Sequence, residues 1–203
     1  MRKNEQKARD NENELLLAVA TCGHLPTKLI ARWVWQKSPE KSALRKAGEV
    51  LRRLEEQGYV LRRKTLDCVA TWVLTKTGAE RLNAKLLEQG GWAWAHHGYD
   101  LAFYDYVQRN ECSAALLKAR EEGAIAVVGK AGLRLGAVKG SEKFKGLDGL
   151  IIGRDYTTVG LFVVRNAQPS TLSKIRTLKE QGHAVRLICE PGLARLIYQR
   201  LKN

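Results

Sequence analysis

The chain has 203 residues, of which 44% are hydrophobic and 28% are charged. This composition is typical of a globular protein and excludes an intrinsically disordered chain. Its 35 lysines and arginines outnumber 21 acidic residues, so the formal net charge is +14. Such an excess indicates a polyanionic partner. Both halves share it: residues 1–90 hold 18 basic and 11 acidic groups, and residues 91–203 hold 17 and 10, which is +7 each.

The cysteines argue against a zinc clip or a disulfide framework. Consecutive cysteines are separated by 46, 44 and 77 residues, whereas the ligands of a zinc clip lie about two to four residues apart. We therefore expect reduced thiols in a cytoplasmic protein. We also expect no signal peptide and no membrane partner, because no apolar run approaches the roughly 18 residues that span a bilayer.

The first 90 residues follow the element order of a winged helix-turn-helix. Residues 1–11 are polar and are expected to form a flexible arm or the frayed start of a helix. Apolar residues then recur at helical spacing from Glu12 to Gly23, which predicts a first helix. Thr27 is expected to cap a second helix, and Ser42 to cap a third that ends at Gly58.

The hydrophobic period changes after this third helix. Residues 59–63 and 71–75 read as two strands of a hairpin, and a fourth helix is expected from Thr77 to about Gln89. Three helices, a hairpin and a further helix indicate a winged helix-turn-helix over residues 12–90.

Gly90 and Gly91 mark the predicted boundary to a second domain at 91–203. Its pattern predicts a mixed α/β domain in which a hairpin or meander leads into a strand–helix–strand unit. The fold class is therefore α+β. Helices are expected at about 99–121, 170–181 and 193–201, and strands at 124–128, 149–152, 159–164 and 184–188.

The third helix has the features of a recognition helix, with an apolar inner row and a polar outer row. Ser42, Arg45 and Lys46 near its start are the residues predicted to contact base edges in double-stranded DNA. Residues predicted to bind phosphate are Lys28, Arg32, Lys41, Arg52, Arg53, Arg62, Arg63 and Lys64. The alternative is that these charges are solvated faces of a small domain.

Two segments, LRKAGEVLRRLEEQGYVLRR and TWVLTKTGAERL, resemble the winged-helix half of the plasmid replication-relaxation family, which includes MobC-type mobilisation proteins. Further on, HHGYDLAFYDYV and LDGLIIG followed by VGLFVVRNAQPSTLSKIRTLK resemble its C-terminal half. That resemblance implies a restriction-endonuclease-like fold over most of residues 91–203.

In active members of such folds, two carboxylates hold a divalent cation. The resemblance places Asp148 at the first position, but no acidic residue lies between Asp155 and Glu180, where the second belongs. We therefore expect an inactive nuclease-like domain that needs no cofactor, with Asp148 as a weak catalytic candidate. Its basic residues remain available to DNA or a partner; they include Arg165, Lys174, Arg176 and Lys179.

Three functions remain open at this stage. The first is a sequence-specific DNA-binding protein, either a transcription regulator or an accessory factor in plasmid transfer or replication, with relaxosome or transcription proteins and a second copy of the chain as possible partners. The second is a relaxase or nuclease that uses Mg²⁺ or Mn²⁺ to nick DNA at a transfer origin, in which Glu111, Glu121, Glu122 or Glu142 would have to supply the second acid. The third is a protein-interaction module that binds no DNA.

Overall fold

The computed structural model describes residues 3–64, 70–98, 105–144, 146–164 and 166–202. They form a mixed α+β chain with two small sheets. The elements of the N-terminal half are α1 (Lys3–Cys22), β1 (Leu25–Pro26), α2 (Thr27–Val34), α3 (Glu40–Glu56), β2 (Val60–Lys64), β3 (Ala70–Leu74) and α4 (Lys76–Glu88). Those of the C-terminal half are α5 (Asp105–Glu121), β4 (Ala126–Gly129), α6 (Lys130–Leu135), a 3₁₀ turn (Ser141–Phe144), β5 (Gly149–Ile152), β6 (Thr158–Val163), α7 (Pro169–Glu180), β7 (Ala184–Ile188) and α8 (Pro191–Lys202).

The first sheet is antiparallel and has the order β1-β3-β2. The short strand β1 was not predicted, and it fixes the start of α2. Pro26 occupies the N-cap position of α2, so Thr27, predicted to be the cap, is instead the first helical residue. The Thr27 hydroxyl accepts a hydrogen bond from the Trp72 indole N–H at 2.9 Å, which joins α2 to β3.

Two other helix starts differ from the sequence prediction. Helix α3 begins at Glu40, and Pro39 takes the N-cap position with the extended backbone (φ −54°, ψ 143°) of a residue that precedes a helix. Ser42 therefore lies inside the first turn and is not the cap. Residues 3–11, expected to form an arm or the frayed start of a helix, are helical as part of α1.

The second sheet has the order β4-β5-β6-β7. Strands β4, β5 and β6 form an antiparallel meander, and β7 pairs with β6 in parallel after the crossover through α7. This is the meander and strand–helix–strand unit that the sequence predicts. Within the described ranges, no helix combines the length and apolarity required to cross a bilayer.

Side chains of the second sheet alternate between two hydrophobic clusters, because successive strand residues point to opposite faces. Leu161 and Val163 join the first cluster, which also contains the buried faces of α1, α2, α3 and α5. Phe162 and Val164 join the second cluster, where they pack with Ile175 of α7 and residues of α6 and α8. The two halves of the chain thus share one core, and α7 and α8 lie on the far face of the sheet.

Glu12 joins three helices of the N-terminal half. Its carboxylate accepts hydrogen bonds from Arg53 of α3 at 2.5 Å and from Arg81 of α4 at 2.7 Å. The Glu12 side chain is only 13% exposed, so water screens these contacts poorly. The contact holds α3 at a fixed position against α1 and α4.

Replacing Glu12 with alanine should lower the free energy of unfolding by roughly 1.5–3 kcal/mol, because two charge-assisted hydrogen bonds are lost and two guanidinium groups remain without their acceptor. The control is Glu88→Ala, which removes a carboxylate that is 66% exposed and pairs with Lys85 on the surface. It should cost less than about 1 kcal/mol. Urea denaturation of the two variants measures the difference, and equal losses would contradict the assigned role of Glu12.

Gly48 lies in the middle of α3, where glycine is less favourable than alanine by about 1 kcal/mol. A Cβ added at Gly48 meets no atom within 4 Å. Gly48→Ala should therefore raise the unfolding free energy by about that amount. Gly78→Ala in α4 should act in the opposite direction, since its Cβ would lie 1.9 Å from the Tyr59 carbonyl oxygen. Thermal unfolding of both variants tests the pair, and destabilisation by Gly48→Ala would contradict the packing described.

Candidate nucleic-acid interface

Helix α3 presents one apolar and one charged face. Its buried row consists of Ala43, Ala47, Leu51 and Leu54. The opposite face carries the exposed cations Lys41, Arg45 and Arg52, which are spaced four and seven residues apart. We call these three residues the outer stripe. One face is thus anchored in the core while the other is open to a partner.

Arg45 is the most accessible predicted base-contacting residue. Its side chain is 72% exposed, and its nearest carboxylate, Glu49, lies 3.9 Å away on the same helix. Exposed pairs of this kind contribute at most about 1 kcal/mol. Arg45 can therefore exchange Glu49 for a ligand at little cost.

Gly48 interrupts the outer stripe between Arg45 and Arg52. The Arg52 guanidinium donates a long hydrogen bond of 3.4 Å to the Gly48 carbonyl oxygen. Because no side chain covers the helix here, a partner could approach the α3 backbone closely. Sequence reasoning overlooked this residue, although a single glycine within a helical pattern is a recognisable signal.

The other predicted α3 residues lie on a neighbouring row and are engaged within the protein. Lys46 donates a hydrogen bond of 3.3 Å to the Ser38 hydroxyl and is half-buried, as is Ser42. Arg53 forms the ion pair with Glu12. Of the three residues predicted to contact bases, only Arg45 therefore lies on the open face.

The cations of the predicted wing follow α3 directly. Arg62, Arg63 and Lys64 are all exposed on β2, which is an edge strand of the first sheet. The Glu55 carboxylate at the end of α3 accepts a hydrogen bond of 3.2 Å from the Arg62 backbone N–H. The last turn of α3 and the basic strand are therefore adjacent. Most of the predicted turn of the wing, residues 65–69, lies outside the described residues.

The two basic residues of α2 have different surroundings. Lys28 is 67% exposed and pairs with Glu40 of α3 at 3.2 Å, so it remains accessible beside the start of the outer stripe. Arg32 instead donates two hydrogen bonds to Glu121 of α5, at 3.1 and 2.6 Å. Arg32 therefore holds the two halves of the chain together.

The positive charge of this surface is concentrated on β2. Helix α3 holds five basic and four acidic residues, whereas β2 holds three basic residues and no acid. Because successive strand residues point to opposite faces, Arg62 and Lys64 share one face of the strand, while the cations of the helix are separated by acids. Phosphate contacts fix the position of a protein on DNA, and base contacts give specificity. This distribution of charge suits a wing that binds the DNA backbone and a helix that contacts base edges.

Asp148, the weak catalytic candidate, has both carboxylate oxygens engaged. Oδ1 accepts a hydrogen bond from the Lys130 ammonium at 3.0 Å, and Oδ2 accepts one from the Val163 backbone N–H at 2.9 Å. The Asp148 side chain is 13% exposed. In this arrangement Asp148 joins the loop before β5 to β6 and to the start of α6, which is a structural role.

Among the acids that the sequence offered as a second ligand, Glu121 and Glu122 are engaged elsewhere, whereas Glu111 precedes Cys112 of α5, whose thiol donates a hydrogen bond to the Asp148 backbone carbonyl oxygen at 3.0 Å. Glu121 pairs with Arg32 and Glu122 with Lys118, both at other positions on the surface. The Glu142 side chain lies outside the described residues. In the described part of the chain, no group of three histidine, cysteine, aspartate or glutamate residues could hold a metal ion.

Comparison with known proteins adds no assignment: no family model, no curated protein and no solved structure matches this chain.

Proposed function

We propose that this chain is a sequence-specific double-stranded DNA-binding protein whose N-terminal half is a winged helix-turn-helix. The observation that carries the proposal is that two elements with exposed cations are adjacent: α3, which carries the outer stripe, contacts β2 at its last turn, where the Arg62 backbone N–H donates a hydrogen bond to Glu55. Helix α3 would enter the major groove, and β2 would lie along the neighbouring phosphates.

The packing of the C-terminal half is compatible with this orientation. Its helix α5 contacts α2 and β1, and its α6 and β4 contact α1. The outer stripe and the β2 cations remain exposed in its presence. A duplex could therefore reach α3 without any separation of the two halves.

We further propose that the C-terminal half is nuclease-like in shape and non-catalytic, and that the protein is a regulator or accessory factor in plasmid or mobile-element transfer or replication. Two observations support the nuclease-like shape. The second sheet is a meander followed by a parallel crossover, and the segment LDGLIIG resembles the C-terminal half of the replication-relaxation family. Engagement of both Asp148 oxygens by protein groups supports the absence of catalysis. Relaxosome or transcription proteins, and a second copy of the chain, are the candidate partners for this role.

The first test is selection of bound genomic fragments at near-physiological salt, followed by fluorescence anisotropy on the recovered duplex. Arg45→Ala should weaken specific binding by about 1–3 kcal/mol, or roughly 5- to 150-fold, and relax the preference at one base position. The matched control is Lys118→Ala on α5, which removes an equally exposed cation paired at i,i+4. It should leave the affinity within about twofold. An equal loss in both variants would show non-specific charge attraction only.

The wing should act differently from the helix. Arg62→Ala and Lys64→Ala should weaken binding to every duplex by a similar factor, because phosphate contacts carry no sequence information. Each lost phosphate contact should reduce the slope of log K against log salt by about 1. Titrations between about 50 and 200 mM salt measure that slope. An unchanged slope in both variants would show that the side chains of β2 do not contact phosphate.

A further inference from the structure

A second basic surface lies on α7 and α8, on the far face of the second sheet. Residues 166–203 contain seven basic and two acidic residues. In the described part of this segment no cation pairs with a carboxylate, whereas Arg176 and Arg200 donate hydrogen bonds to the backbone carbonyl oxygens of Arg200 and Ala167. Their charge is therefore not neutralised within the protein.

The surface contains an open cleft of about 320 Å³ between the loop before β5 and helix α7. Its described polar lining consists of Lys143, Ser173, Lys174, Thr177 and Gln181, with no acidic residue among them; the Glu142 side chain lies outside the described residues. Lysine, hydroxyl and amide side chains are the groups that contact phosphate oxygens in protein–DNA complexes. The side chains that line the cleft are therefore suited to binding the phosphate backbone of DNA.

This cleft and the outer stripe of α3 are separated by several packed layers. Helix α3 packs on α2, α2 on α5 and α5 on the second sheet, and α7 covers the opposite face of that sheet. Each layer is about 8–10 Å thick. A straight duplex seated on α3 does not extend around these layers, and bending it sharply over such a distance costs several kcal/mol.

We propose that the cleft beside α7 binds the phosphate backbone of a second duplex segment, so that one molecule bridges two duplexes. This inference rests on the proposed function of α3. Nucleic acid fits this cleft better than a lipid surface, because its lining side chains are mainly polar or charged, whereas an interfacial helix needs an exposed apolar face; the exposed apolar side chains Leu196 and Tyr198 lie on α8 and do not line the cleft.

The test is capture of a labelled duplex by protein already bound to an immobilised duplex. Lys143→Gln with Lys174→Gln should abolish capture and leave the affinity for a single duplex within about threefold. The matched control, Lys85→Gln with Lys118→Gln, removes the same charge from α4 and α5 and should retain capture. Light scattering at the same concentrations establishes the number of chains in each complex.

Each outcome has one meaning. Binding of a single duplex without capture overturns bridging and leaves the proposed function intact. Capture that survives Lys143→Gln with Lys174→Gln assigns bridging to a dimer using two α3 surfaces, which also overturns the inference. A third outcome is that the wild type binds anionic vesicles but captures no second duplex, and that the variant loses vesicle binding. This result would assign the cleft to a membrane surface instead. Failure to bind any duplex defeats the proposed function itself.

Discussion

Burial of α1 is the constraint on which the rest of the structure depends. Leu15, Leu16, Ala18 and Val19 are 0% exposed, and complete burial of each large aliphatic side chain contributes about 1.5–3 kcal/mol. Around this helix pack α2, α4 and β3 from one half of the chain and α6 and β4 from the other. Both halves bury their apolar surface against the same helix, and α3 is positioned through α2, which packs on both α1 and α3.

Charged contacts then divide the basic residues into two kinds. Arg53 and Arg81 are bound to the Glu12 carboxylate, which is only 13% exposed, and hold helices in position, whereas Arg32 and its partner Glu121 are both partly exposed. Arg45 and Lys28 have only exposed partners. Net charge alone does not distinguish these groups. The distinction matters for function, since a cation released from an exposed pair costs little, whereas one removed from a buried carboxylate leaves a charge without its partner.

Most element positions could be predicted from the sequence, because periodicity and turn residues are local signals. The strands at 149–152 and 184–188 occur as expected. The strand β1 could not be found in this way, since two residues, one of them proline, carry no periodic pattern. Helix α6 was not predicted either, because its six residues lie in a glycine-rich stretch that resembles a loop.

The candidate site was less predictable than the fold. Helical spacing predicted an outer row on α3 that included both Arg45 and Arg53, but it could not show that Arg53 contacts Glu12, 41 residues earlier in the chain. Nor could it show that Asp148 is held by Lys130 and by a backbone N–H of β6. Contacts between distant residues depend on how helices pack, and a single sequence does not specify that packing locally.

The central claim is that the outer stripe of α3 and the cations of β2 form one duplex-binding surface. Backbone amide chemical shifts recorded during titration with a selected duplex test it most directly. If α3 and β2 form one surface, the largest chemical-shift changes should fall on residues 41–52 and 60–64, and they should saturate together. Changes confined to other elements, with α3 and β2 unaffected at saturation, would contradict it.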